Sequence, residues 1–114
     1  MPIQHYLQNV ASGAVSAGTG VAFDRGSRNV TVFIPSLASG TNITFDVSYD
    51  GTTYKPLRYA PVSGSVTPTA VTIGSAVSNC AVRMDELRGI QYVKVLHTTA
   101  VADVSANYYF VVEY

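Results

Sequence analysis

The stretch Asn42-Ile-Thr-Phe-Asp-Val-Ser-Tyr-Asp-Gly-Thr-Thr-Tyr-Lys-Pro-Leu57 carries the strongest local structural signal in this chain. Over residues 43–49, apolar or aromatic side chains alternate with polar ones, which is the pattern of a strand with one buried and one solvated face. Asp50-Gly51 follows at once and predicts a tight hairpin turn, because this dipeptide tolerates positive φ angles. A return strand is expected from residue 52, limited by Pro56, which has no N–H for a ladder. The stretch predicts an antiparallel β fold.

The segments on either side extend the same pattern. Alternating or short apolar runs bounded by turn residues predict further strands at 10–16, 29–34, 70–73, 80–84, 90–97 and 105–114. Residues 85–89 predict one helical turn that ends at a glycine. About eight short strands at regular spacing indicate an all-β protein, a single antiparallel β-sandwich of either jelly-roll or immunoglobulin-like topology.

A chain of 114 residues suits one domain. We expect residues 21–114 to form the β-sandwich and residues 1–20 to form an N-terminal arm or edge segment. Ile3, Tyr6 and Leu7 are large apolar side chains for a free tail, so the segment is predicted to contact a neighbouring subunit.

Charged residues make up only 12% of the chain, and seven basic residues balance seven acidic ones. In an average soluble protein, roughly a quarter of the residues are charged. The zero balance, without a basic cluster, gives no attraction to nucleic acid. No signal-peptide pattern and no membrane-length apolar run is present, so we expect synthesis in the cytoplasm and no membrane partner. Low charge with 47% hydrophobic residues suits a subunit of an assembly, and equally a β domain with a Ser/Thr-rich surface.

The residues that usually carry chemistry do not form a recognisable set. Cys80 is the only cysteine, which excludes a disulfide within the chain, and its neighbours Asn79, Ala81 and Val82 predict a packed side chain. His5 and His97 have no ligand-spaced partner, and Asp46 and Asp50 lack the remaining oxygens of a calcium loop. No Gly-x-Ser-x-Gly nucleophile elbow is present. We therefore expect no catalytic residues, metal or cofactor, and no enzyme activity.

Eight tyrosines, in a chain without tryptophan, are the most unusual compositional feature. Tyrosine gives a large amphipathic contact area at small entropic cost, which suits protein interfaces. Tyr54 and Tyr59 flank the central hairpin and the loop after it, and we predict that they take part in an interface. Core packing with the hydroxyl at the rim, or a sugar-stacking platform, would use the same residues.

The order of strands and turns resembles that of small virion proteins of tailed bacteriophages. The elements that carry the resemblance are Val30-Thr-Val-Phe-Ile-Pro-Ser36, the hairpin within residues 43–57, Leu87-Arg-Gly-Ile-Gln-Tyr-Val-Lys-Val95 and the final strand at residues 108–113. They cover about the C-terminal three quarters of the chain.

The resemblance implies a non-enzymatic structural role in the virion, as a capsid decoration (cement) protein on the capsid surface that binds across major capsid protein subunits. It also implies a homo-oligomer, with a trimer favoured, whose partners are the major capsid protein or copies of itself. The alternative is a carbohydrate- or receptor-binding module of a tail or fibre.

Overall fold

The structure, a computed structural model, describes residues 3–11, 13–18, 20–37, 40–60, 68–74, 79–98 and 106–114. The described strands are β1 (Ile3–Val10), β2 (Val21–Ala22), β3 (Asn29–Phe33), β4 (Ile43–Ser48), β5 (Tyr54–Pro56), β6 (Thr72–Ile73), β7 (Ala81–Arg83), β8 (Tyr92–His97) and β9 (Ala106–Glu113). In the described residues, a 3-10 turn, Asp85–Leu87, follows β7, where the sequence predicts a helical turn. The prediction of an all-β chain is confirmed.

The strands form two antiparallel sheets that pack against each other. Sheet A has the order β1-β9-β3-β7, and sheet B has the order β2-β8-β4-β5, with β6 also paired to β4. The first strand thus pairs with the last, the second with the second last and the third with β7, as in a long hairpin rolled into a sandwich. This nested pairing is the jelly-roll arrangement, so the topology is the jelly roll and not the immunoglobulin-like alternative.

The core lies between the two sheets and follows the predicted alternation at Ile43 and Phe45, but Tyr49, expected on the buried face, is exposed in the loop after β4. Phe45 of β4, Val93 of β8 and Phe110 of β9 are completely buried, and their sequence neighbours point outward. One polar pair lies among them: the Tyr108 hydroxyl is 2.6 Å from His97 Nε2, joining β9 of sheet A to β8 of sheet B. Burial lowers the pKa of His97 and raises the pKa of Tyr108, which favours the neutral form of both groups.

A second polar contact joins the sheets at one side of the sandwich. Gln8 of β1 is buried, its side-chain amide donates to the Val93 carbonyl (3.2 Å), and its Oε1 accepts from the Val95 N–H (2.8 Å). On the same edge of β8, Ala17 N–H donates to the Val95 carbonyl. The Gln8 amide therefore takes the place of a peptide group in a gap along β8, and it fixes β1 against sheet B.

Three local predictions are corrected. The hairpin after β4 has a five-residue loop, Tyr49 to Thr53, because the return strand begins at Tyr54. No strand spans the described part of 10–16 beyond the end of β1; only Ser16 forms an isolated bridge there, with Leu96. Cys80 is exposed, since it precedes β7 at a sheet edge and its carbonyl accepts the Ile34 N–H.

Candidate interaction surface

The outer face of sheet A carries a row of exposed apolar side chains that runs across its strands. Leu7 of β1 lies opposite Tyr109 of β9, and Tyr109 lies opposite Phe33 of β3, so the three are nearest cross-strand neighbours. Their exposed fractions are 55%, 48% and 47%. Ala81 of β7 continues the row beyond Phe33 and is also exposed. We call Leu7, Tyr109, Phe33 and Ala81 the apolar row.

The next rows on the same face are more polar. Arg83 donates to the Asn29 side-chain oxygen (2.8 Å), and the Asn29 amide donates to Glu113 (2.9 Å), so one hydrogen-bonded chain crosses three strands. Ile3, which is 55% exposed, and Val111 lie beside these hydrogen-bonded side chains, and together they line a shallow depression of about 250 Å³. The face thus combines an apolar row with a fixed polar border, the pattern of a protein–protein interface.

The predicted arm residues lie on β1, which forms the edge of sheet A. Ile3 and Leu7 point to the outer face, whereas Tyr6 points inward. Its ring packs on Phe23 with centroids 4.9 Å apart, its hydroxyl contacts the Tyr114 hydroxyl, and both hydroxyls accept from the Asp24 N–H. Burial, chiefly, raises the pKa of Tyr6 to about 12. Tyr6 therefore ties β1 to the chain between β2 and β3.

The other two predicted residues, Tyr54 and Tyr59, lie apart from this face. Tyr54 of β5 lies over the outer face of sheet B, with Lys94 Nζ 4.4 Å from its ring centroid and Gly20 against its hydroxyl. Tyr59 follows β5, is 46% exposed, and its N–H donates to the Thr69 carbonyl. The structure thus brings Ile3 and Leu7 together and separates them from both tyrosines.

Phe33 and Tyr109 complete the surface, although neither was among the predicted interface residues. Each has a signal in the sequence: both belong to strands in which apolar side chains occupy both faces, in the runs Val30–Ile34 and Tyr108–Val112. A strand that is apolar on both sides is covered twice or meets a partner. Only the register shows that the outward residues of β1, β9 and β3 form one row.

Within the described ranges, no three His, Cys, Asp or Glu side chains are placed to hold a metal ion. The same ranges contain no helix with the length and apolar character needed to cross a membrane. Comparison of the chain with protein family models, curated proteins and solved structures finds no match.

Proposed function

We propose that this chain is a non-enzymatic structural protein of a bacteriophage virion, a decoration protein that binds the major capsid protein across subunit boundaries. The observation that carries the proposal is the apolar row on the outer face of sheet A. Leu7, Phe33 and Tyr109 expose about half of their surface there, and their own fold leaves this face uncovered in the described residues.

The energetics favour a protein partner for this face. Each of the three side chains exposes roughly 100 Å², and burying that area contributes about 2–3 kcal/mol per side chain before the costs of association. Aromatic side chains near the centre of a patch are the residues that most often dominate binding. The fixed Arg83–Asn29–Glu113 chain beside them supplies a polar rim that needs little reordering when a partner binds.

The virion setting is supported by the resemblance of the strand and turn order to small bacteriophage virion proteins and by the low charge of the chain. A net charge of zero with 12% charged residues suits a subunit held in an assembly. Jelly rolls occur in viral capsid proteins and in lectins, so the fold is compatible with this function but does not select it.

Immunogold electron microscopy tests the proposal on bacteriophage particles whose genome encodes this chain. We expect label over the whole shell of the head. Label confined to the tail would overturn the decoration role in favour of the alternative, and particles without label would overturn both. Deleting the N-terminal segment is not a clean test, because it would remove the whole of β1 from sheet A.

One observation favours the alternative, a carbohydrate- or receptor-binding module of a tail or fibre. Tyr49, in the loop between β4 and β5, is 85% exposed, and the carboxylate of Asp50 lies next to it in the chain. An exposed aromatic ring beside a hydrogen-bond acceptor can stack on and bind a sugar. A glycan-array signal that Tyr49→Ala removes and Phe33→Ser leaves unchanged would establish this function; a silent array counts against it.

A further inference from the structure

Strand β1 is an edge strand without the usual protection against pairing. Its eight residues pair with β9 in one continuous register, from Ile3 opposite Glu113 to Val10 opposite Ala106, without a bulge. It contains no proline and no Lys, Arg, Asp or Glu. The other edge strands of the described part, β7, β2, β5 and β6, have three, two, three and two residues. Proteins normally keep edge strands short, charged or bulged, because a long plain edge is a template for another strand.

The hydrogen-bonding direction of β1 follows from the bonds elsewhere in sheet A. Ile34 N–H donates to the Cys80 carbonyl and Met84 N–H to the Val30 carbonyl, so the even-numbered residues of β3 bond toward β7. Main-chain groups alternate in direction along an antiparallel strand. The odd-numbered residues of β3 therefore bond to the odd-numbered residues of β9. The even-numbered residues of β9 then bond in the opposite direction, to the even-numbered residues of β1.

The odd-numbered residues of β1 therefore direct their N–H and C=O groups out of the sheet; they are Ile3, His5, Leu7 and Asn9. Outside the β1–β9 ladder, no hydrogen bond from the described residues reaches these main-chain groups. Their regular spacing along an extended strand matches only another extended strand.

We propose that β1 pairs with β1 of a second copy of this chain, antiparallel about a two-fold axis, and joins two four-stranded A sheets into one. In the register centred on Tyr6, Ile3 lies opposite Asn9 of the second copy and His5 lies opposite Leu7. All four outward-directed residues of each copy then find both of their hydrogen-bond partners. The proposal goes beyond the decoration role and does not depend on it.

A second copy fits this edge because the strand is complementary to itself. With no Lys, Arg, Asp or Glu in β1, the two-fold places no like charges opposite each other, and the zero net charge adds no repulsion at long range. Side chains directly opposite in a two-fold pair share a face, so the outer faces of both copies become one surface. That surface contains the apolar row twice.

The size of the contact predicts a reversible dimer. An eight-residue edge is about 27 Å long and the sheets of a sandwich lie about 10 Å apart, so each copy covers on the order of 300 Å². This is less than the roughly 800 Å² per partner of a stable interface. We expect the dimer to form as concentration rises toward about 1 mM, with hydrogen bonds supplying much of the specificity.

Sedimentation velocity from about 10 µM to about 1 mM tests the pairing. His5→Pro removes an N–H that points to the free edge and leaves the β1–β9 bonds intact, so it should raise the dimer dissociation constant at least about tenfold with an unchanged circular dichroism spectrum. Phe33→Ser, which alters the face and not the edge, should leave that constant unchanged. A monomer at every concentration, or a larger effect of Phe33→Ser than of His5→Pro, would overturn the proposal.

Disulfide trapping tests the register without a proline. In a Cys80→Ser background, a chain with His5→Cys is mixed with a chain with Leu7→Cys, since these positions face each other at about 5.5 Å between Cα atoms. The mixture should give a cross-linked heterodimer under mild oxidation, in clear excess over either chain alone. Equal cross-linking of each chain alone would reject the register. A variant that no longer binds capsids but still forms dimers, or one that binds capsids but no longer forms dimers, would separate this proposal from the decoration role.

Discussion

The two outer faces of the sandwich are built by the same alternation and differ in what they leave exposed. On sheet A, Leu7, Phe33 and Tyr109 stand next to one another, each about half exposed. In the described residues, no strand of sheet B carries a large apolar side chain that is as exposed as these three. One of its large rings, Tyr54, lies across the face between Lys94 and Gly20. Sheet B covers part of its own face with Tyr54, whereas the described part of the chain leaves the apolar row of sheet A exposed.

This contrast separates residues that serve the fold from residues that serve binding. A single exposed apolar side chain is ordinary in soluble proteins, but a contiguous group marks an interaction site. Substitutions on the face of sheet A should therefore change binding, and their cost in stability should be limited to the buried half of each side chain. Substitutions that disturb the face of sheet B should lower stability and leave binding unchanged.

The largest expected effect is on binding by sheet A. The double variant Phe33→Ser with Tyr109→Ser should weaken binding to shells that lack the protein by about 100-fold, because it removes both aromatic anchors. Its free energy of unfolding should also fall, by at most about 2–3 kcal/mol for each ring, because each ring is half buried, so folding of the variant is first checked by circular dichroism. Quantitative pull-down on purified shells measures the binding.

Tyr49→Ser is the matched control, because it removes an exposed aromatic ring far from sheet A. It should bind shells as the wild type does. The opposite result, with Tyr49→Ser defective and the double variant normal, would contradict the assignment of binding to sheet A.

The second prediction concerns the interior that both faces share. Tyr108→Phe removes the hydroxyl that contacts His97 Nε2 and leaves a buried ring nitrogen without its partner, at a cost of about 1–3 kcal/mol in the free energy of unfolding. Urea unfolding at about pH 8 measures it, where His97 is neutral because burial lowers its pKa. A cost near zero would show that the pair does not hold the two sheets together.

The third prediction tests the closure of sheet B. A Cβ on Gly20 would lie 2.0 Å from the Tyr54 hydroxyl, so Gly20→Ala must push the ring off Lys94. We expect a loss of about 1 kcal/mol from the displaced packing and cation–π contact. In a Tyr54→Ala background the same change should cost little, and a double-mutant cycle measures the difference. Equal costs in both backgrounds would contradict the closed face.

The strands and their inward faces could be predicted from the sequence because alternation is a local property. In residues 43–49 the alternation correctly places Ile43 and Phe45 in the core, but it fails at the end of the strand, where Ser48 is buried and Tyr49 is exposed. The apolar row could not be predicted in the same way. Leu7, Phe33 and Tyr109 meet only because β9 lies between β1 and β3 in a particular register, and the two pairings join residues 102 and 76 positions apart.

The loop after β4 shows a local rule overruled by side chains. Asp50-Gly51 alone favours a two-residue turn. The Ser48 hydroxyl instead accepts the N–H groups of Asp50 and Gly51, and the Asp50 carboxylate accepts those of Thr52 and Thr53. These bonds stabilise a longer loop, in which Gly51 keeps the positive φ of 80° that the dipeptide predicts.

This loop, at the end of sheet B, gives the smallest effect. Asp50→Ala removes the acceptor for two N–H groups and should lower the unfolding midpoint slightly at pH 7. The pKa of Asp50 is lowered, first by the bond from the Thr53 N–H, so the contribution is present above the ordinary carboxyl pKa and is lost as pH falls through the lowered value. Wild type and variant should therefore become more alike in stability as the pH falls through the lowered pKa of Asp50. Asp50→Asn keeps an acceptor oxygen without a titrating proton, and its stability should not show this pH-dependent loss. If wild type and Asp50→Ala differed in stability by the same amount at pH 7 and at acid pH, the effect would come from packing and not from the charge of Asp50.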